Sequence, residues 1–438
     1  MSKWINDKYI KQIFETNSDF SEWFGYYNYD VISRDGKKML CNRVDFDGRA
    51  ITENDRIQLG YYELESGTWH LIDVSDSFNW QQGAMLQWLP GGGNENKVIY
   101  NISKNNHFKS VIADLATNEK VYIDFPTYCV TPDGQYSIAL NYERSYWCRA
   151  YHYQSVKNSE YNVDVAEDDG IFKVDIKNNT IKRIVKIQDV ISIDAPDDFK
   201  KAKHWLEHIM INKAGDRIAF LHRYSYGNAY STRLFICGIN GENLQIVDGW
   251  KENDWSHFGW KGNREFAIYS VKNNRFQSNY AKSVQKAKNR FSFMYIVNWV
   301  VHLPCLRIVK DKLKPNTRYY KLYQERNGKI EFKENYDQPI FSIDGHPSFT
   351  QDGRYMITDS YPDKDGNQRL IIFDTETKKG ITVGKLKAPL SGNPASCDLH
   401  PKLSYNGKYL VVDTAYTGKH CMIVFELRWS EIQKAISK

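Results

Sequence analysis

No Cys-x-x-Cys pair occurs in this 438-residue chain, and its seven cysteines (Cys41, Cys129, Cys148, Cys237, Cys305, Cys397, Cys421) are odd in number and irregularly spaced. That pattern supports neither a disulfide framework nor a zinc finger. The first twenty residues, MSKWINDKYIKQIFETNSDF, lack the apolar core of a secretion signal. Together these absences predict a reducing, cytoplasmic setting. Helix-favouring Ala-rich stretches are scarce, and no segment carries a recognisable nucleic-acid module, so nucleic acid is not an expected partner.

What is abundant points to strands. Aromatics make up 14% of the chain, with 30 Tyr and 12 Trp. Such side chains suit a pleated, half-buried surface. A hydrophobic content of 41% is ample for a large core and argues against extended disorder.

Positive charge is concentrated in one place. The net charge is +6, yet residues 272–318 alone hold eleven Lys/Arg against one Asp, a net of +10 that leaves about −4 elsewhere. The middle of this segment, Phe291 to Val309, is largely apolar but interrupted by Asn298, His302, Pro304 and Arg307. Those interruptions are too many for a membrane span. Three readings stay open for the insertion: a lid over a polyanionic glycan, a packing or homo-oligomer contact, or a peripheral segment on anionic lipid.

A repeat organises the rest. A strand, a glycine-bearing polar turn and a second strand recur as YDVISRDGKKMLCNRV (from Tyr29), LQWLPGGGNENKVIYNI (Leu86), YCVTPDGQYSIALNY (Tyr128) and HIMINKAGDRIAFLHRY (His208). Three more follow: HFGWKGNREFAIYSV (His257), GHPSFTQDGRYMITDSY (Gly345) and HPKLSYNGKYLVVDTAY (His400). Asp-Gly and Asn-Gly supply the positive φ of tight hairpins, and the flanks alternate apolar and polar. Seven such units predict an all-β fold: one seven-bladed β-propeller over residues 1–438, each blade hiding its apolar faces against its neighbours. A pair of β-sandwiches is the poorer alternative, since it would not repeat one signature.

In a propeller the starts of the innermost strands face a central channel mouth. His208, His257, His346 and His400 all sit at or beside the start of a repeat. Convergent imidazoles suit a borderline divalent metal, completed by a carboxylate or thiolate. His346, His400 and one of Asp398 or Cys397 are the predicted ligands, with His257 as a fourth. Adjacent residues on a strand point to opposite faces, so Asp398 and Cys397 are alternatives. Around the same mouth the sequence places Glu207, His222, Arg223, Tyr224, Tyr226 and Arg233. Arginine can hold a sugar carboxylate bidentately, and Tyr or His can exchange protons near neutral pH. Arg223 and Arg233 equally suit inter-blade salt bridges.

The motifs FLHRY, TRLFICGINGENLQIV, SHFGW, GHPSFTQDGRYMITDSYPD and CDLHPKLSYNGKYLVVD resemble the seven-bladed propeller polysaccharide lyases, namely the oligogalacturonate lyases and the ulvan-lyase-like branch. The likeness is strongest from Lys203 to Tyr416. It implies β-elimination on an acidic oligosaccharide: a metal or arginine neutralises a uronate carboxylate, a base takes the C5 proton, and the 4-linked sugar leaves. In the oligogalacturonate lyases an arginine is the base, which places Arg233 there with His257 as partner, and His346 and His400 as manganese positions. Ala395 and Asp398 stand where that family has a glutamine and a histidine. In the ulvan-lyase-like branch the zinc is structural, a tyrosine and a histidine serve as base and acid, and Arg223 would neutralise the carboxylate. Glu207 and His208 stand at that branch's tyrosine position. Taken together, the residues around the mouth and the resemblance predict Arg233, His257, His208, Arg223 and Tyr226 as catalytic residues and His222, Tyr224 and Glu207 as substrate contacts. A non-catalytic platform for an acidic glycan or protein is the competing expectation.

Overall fold

The computed structural model of the chain describes residues 2–148, 153–195, 199–227, 230–248, 253–272 and 318–437. Its strands form seven antiparallel sheets arranged as a seven-bladed β-propeller. The second and third blades, for example, run Gln87–Trp88, Lys97–Lys104, His107–Asp114, Lys120–Ile123, then Cys129–Val130, Tyr136–Leu140, Gly170–Asp175, Thr180–Lys186. The first strand of each blade is innermost, and the inner strands of blades three to seven touch in succession.

The repeated turn explains why each blade forms locally. In blade six, Thr350 Oγ1 donates to Asp352 Oδ1 at 2.5 Å, and Gly353, at φ +74°, donates to the Thr350 carbonyl at 2.9 Å. Blade seven repeats the device with Ser404, Asn406 and Gly407, the last at φ +69°. The hydroxyl and the Asp or Asn satisfy the turn's amides, and glycine supplies the left-handed backbone at no steric cost.

Ring closure is made by the chain's beginning. Strand Ile10–Glu15 pairs antiparallel with Cys421–Leu427 as the outermost strand of blade seven, with Ile10 opposite Leu427. Lys3–Ile5 extends the outer edge of blade six. The C-terminal helix Trp429–Ser437 buries Ile432 and Ile436 in the core shared by blades six and seven. Two sequence-distant ends are therefore held by one hydrophobic cluster.

The basic insertion leaves blade five between strands Glu265–Lys272 and Tyr319–Arg326. Its residues 273–317, including Cys305, lie outside the described residues, and so do the lid, oligomer-contact and membrane-surface readings. Among the described residues no helix is long and apolar enough to cross a membrane. The six described cysteines are free and buried.

The closure strand has an energetic consequence. Ile10 is fully buried in the blade six–seven cluster, whereas its neighbour Lys11 is exposed. Ile10→Ala is expected to cost about 2–5 kcal/mol in urea unfolding, and Lys11→Ala less than about 0.5 kcal/mol. Equal small effects would show that this strand does not hold the ring closed.

Candidate functional site

Local irregularities in the inner strands aim the site's side chains. His208 lies on Lys203–Ile211, the inner strand of blade four, where the register shifts between Glu207 and Met210, and its φ is +55°. His257 lies on Asn253–Trp260 of blade five at a second shift, between Trp255 and Phe258. β-Bulges re-aim side chains in this way beside functional sites. His346 and His400 stand two residues ahead of the inner strands Ser348–Phe349 and Lys402–Leu403, and His400 has φ +44°. Positive φ is costly for a non-glycine residue and persists where surroundings over-determine it.

The four imidazoles converge. Ring centroids are 6.1 Å apart for His208–His257, 4.1 Å for His257–His346 and 4.4 Å for His346–His400. All four are at most 5% exposed. Tyr26 and Tyr27, just after the inner strand Ser21–Trp23 of blade one, close the ring from the other side. Tyr26 lies 5.2 Å from His208 and 4.9 Å from His400, and Tyr27 lies 5.2 Å from His346. These two tyrosines were missed in the sequence because GYY precedes the first recognisable repeat.

Three of the histidines have Nδ1 committed to a partner. Tyr26 Oη lies 2.5 Å from His208 Nδ1, Asp344 Oδ2 lies 3.1 Å from His257 Nδ1, and Asp359 Oδ1 and Oδ2 lie 2.9 and 3.0 Å from His346 Nδ1. Burial pushes His208, His346 and His400 well below the ordinary histidine value, reinforced by positive neighbours such as Arg223 beside His208. His257 goes the other way. Burial alone would lower it, but the Asp344 carboxylate more than offsets this and raises it.

His346, Asp398 and His400 each offer one ligand atom, and these atoms all lie within 4.8 Å of one another. His400 Nε2 is buried with no hydrogen-bond partner among the described residues. An orphaned imidazole nitrogen beside a second imidazole and a carboxylate fits a borderline divalent cation. Burial, then neighbouring Asp359, pushes the Asp398 carboxyl up to about 7, which bound positive charge would relieve. Between the two sequence alternatives it is Asp398 that joins the group. The Cys397 Sγ turns to the Asp398 carbonyl at 3.7 Å, and burial together with Asp413 and Asp398 pushes its thiol well up. Ala395, fully buried in an apolar cluster, has nothing to ligate with.

The opposite wall carries Glu207, with Oε1 2.5 Å from Arg223 Nε and 3.3 Å from Trp205 Nε1, and Oε2 3.6 Å from His208 Nε2. Arg223 also covers the Tyr230 ring at 4.6 Å. A groove of ≈ 340 Å³, lined by Gln81, Tyr361, Ser396 and Asp398 among others, opens beside the cluster. Tyr361 stands 5.7 Å from His257 and 5.6 Å from His346.

Four predicted residues do not join this site. Arg233 is 1% exposed, and its Nη1 and Nη2 donate to the Ile193 and Val190 carbonyls at 2.9 and 2.6 Å. It ties down the end of helix Ile187–Ser192. A base must face the substrate; this guanidinium faces a helix end. His222 sits opposite Arg233 across the sheet and bonds His204 Nδ1 through Nε2 at 2.9 Å. Tyr224 packs on Phe199 at 4.5 Å, and Tyr226 is 48% exposed beyond the end of strand Arg217–Ser225. Three of these placements share one cause: His222, Tyr224 and Arg233 lie on the face of blade four that meets blade three, while Arg223 lies on the other.

No protein-family model matches the sequence, and no curated protein matches it. Solved structures do match its fold. An oligogalacturonate lyase in complex with manganese superposes with a TM-score of 0.63 at 14% identity, covering 98% of this chain and 96% of that one. A second oligogalacturonate lyase, from Vibrio parahaemolyticus, gives 0.59 at 14% identity, covering 98% and 97%.

The ligand set carries its own test. Wild-type protein titrated with manganese(II) or zinc(II) is expected to bind one equivalent, and His400→Ala to weaken binding by about 100-fold or more, since it removes one of three ligands. Calorimetry reads both, and equal affinities would remove this group from consideration.

Proposed function

We propose that the protein is a lyase that cleaves a uronate-containing oligosaccharide by β-elimination at the channel mouth. One observation carries the reading: two imidazoles of opposite tendency, His208 held neutral and His257 raised by Asp344, stand 6.1 Å apart beside a three-ligand metal set. Environments that push titratable groups apart assign base and acid. The manganese complex of a similarly folded oligogalacturonate lyase supports the metal assignment by analogy of fold.

A divalent cation held by His346, His400 and Asp398 would supply positive charge to the uronate carboxylate and so acidify the C5 proton. The side chains do the rest. Arg223, fixed by Glu207, presents its guanidinium to the same carboxylate. The Tyr26 hydroxyl, bonded to His208 Nδ1, takes the C5 proton while passing its own to that nitrogen. The C5–H electron pair becomes the C4=C5 double bond. The C4–O4 bond breaks with its pair on oxygen, and the charged His257 delivers a proton to that leaving oxygen. The products are one unsaturated uronate end and one new free hydroxyl, so atoms and charge balance.

Incubation with a panel of uronate oligosaccharides, followed by ultraviolet absorbance of the unsaturated product, tests the proposal. Tyr26→Phe and His257→Asn are expected to lower kcat by about 10²–10⁴. Arg233→Lys is expected to lower Tm while kcat stays near wild type, because it holds a helix end rather than substrate. Absence of product from every uronide, with glycan binding retained, would favour the non-catalytic platform instead.

A further inference from the structure

Asp359 ends strand Tyr355–Asp359 of blade six and is 2% exposed. Its carboxylate receives donors from two different blades. Oδ1 accepts the His346 backbone N–H at 2.6 Å and lies 2.9 Å from His346 Nδ1, while Oδ2 accepts the His400 backbone N–H at 3.3 Å. No Lys or Arg is bonded to it among the described residues, so its buried charge is satisfied by these N–H groups. We infer that Asp359 is a positioning residue: one carboxylate sets both metal-ligating histidines, fixing His346 as the Nδ1–H tautomer so that its Nε2 is left for the ion.

The inference rests on the metal reading of this site given above and adds to it what holds the ligands. An acceptor-only group suits this place because the backbone N–H groups of His346 and His400 donate to it, as does His346 Nδ1 in the inferred tautomer. An asparagine would keep one acceptor oxygen and turn an NH₂ toward the remaining donors. Two donor groups would then oppose each other, and the ring of His346 would lose what orients it. Carboxylate–histidine pairs behind a metal act in this way, raising ligand basicity and fixing the tautomer. The two blades also become coupled: because His346 and His400 share one anchor, displacement of either backbone is felt by the other.

The equivalent position in blade two provides a control on mere stability. Asn101 Oδ1 accepts the Thr127 backbone N–H at 2.7 Å, and its Nδ2 donates to the Thr127 carbonyl at 2.9 Å, with no histidine involved. Asn101→Ala should therefore lower Tm and leave metal affinity alone.

The experiment titrates wild type, Asp359→Asn and Asn101→Ala with manganese(II) by calorimetry and with cobalt(II) by visible absorption. Asp359→Asn is expected to weaken manganese binding by about 10–100-fold and to shift the cobalt bands, which report ligand geometry. Affinity within about threefold of wild type, with unchanged cobalt bands, would overturn the inference, since second-shell losses are larger than that. Should Asp359→Asn not fold, ¹⁵N-histidine NMR of the metal-free wild type decides the matter. His346 protonated on Nδ1 supports the role, and protonation on Nε2 overturns it. Wild-type protein that binds neither ion sinks the metal reading itself, a result distinct from an Asp359 variant that binds like wild type.

Discussion

One interaction recurs where the ring would otherwise come apart: a polar side chain near the end of a blade's second strand takes backbone groups of the next blade's inner segment. Asn101 does this for Thr127 across blades two and three. Asp359 does it for His400 across blades six and seven, and Asp413 for Phe24 and Gly25 at 2.9 and 3.1 Å across blades seven and one. The inner strands are short, as little as two residues in blades two, three, six and seven, so the segments beside them depend on side chains to satisfy buried backbone amides. Burial pushes the Asp359 and Asp413 carboxyls up, and the amides they accept favour the ionised form against it. The two carboxylates fall on the blades nearest closure, where ends distant in sequence must meet.

The chemistry of the channel follows from that constraint. Of the four nearly fully buried histidines, burial pushes His208, His346 and His400 toward the neutral form, while the Asp344 carboxylate compensates the charge of His257. Partners at Nδ1 for His257 and His346 leave the other nitrogen of each ring available to the channel, whereas His208, bonded to Tyr26 at Nδ1, has Nε2 3.6 Å from Glu207 Oε2. The same commitment explains how two of the four can sit at positive φ. His400 has its N–H on Asp359 and His208 has its ring on Tyr26, so local strain is offset by bonds made elsewhere.

The fold was legible because its signal is local. Each glycine-bearing turn lies between its own two strands, so the blade repeat, the count of blades and the histidines at repeat starts could all be read along the chain. The final pairing could not. Ile10–Glu15 carries no repeat signature, and its place in blade seven depends on a partner more than four hundred residues away. The missed site residues divide the same way. Asp359 and Asp413 occupy one repeat position, in YMITDS and YLVVDT, a signal that was present and would have marked both as inter-blade anchors. Tyr26 and Tyr27 precede the first repeat, so nothing periodic pointed to them.

Arg223 and Arg233 show where spacing fails for a physical reason. Both lie in blade four among aromatic and imidazole residues, and both read equally well as the cation of the site. The register separates them. Arg223 pairs with Trp205, which shares its face with Glu207, while Arg233 pairs with His222 and through it with Leu206 on the opposite face. A strand's side-chain period is two residues, so a sheet face is decided by parity and by which neighbour each face meets. Blade five lies beyond one face of this sheet and blade three beyond the other, so parity alone sends Arg223 to Glu207 beside His208 and Arg233 to a helix end. The cation available to the channel is therefore the one whose carboxylate partner also touches a channel histidine.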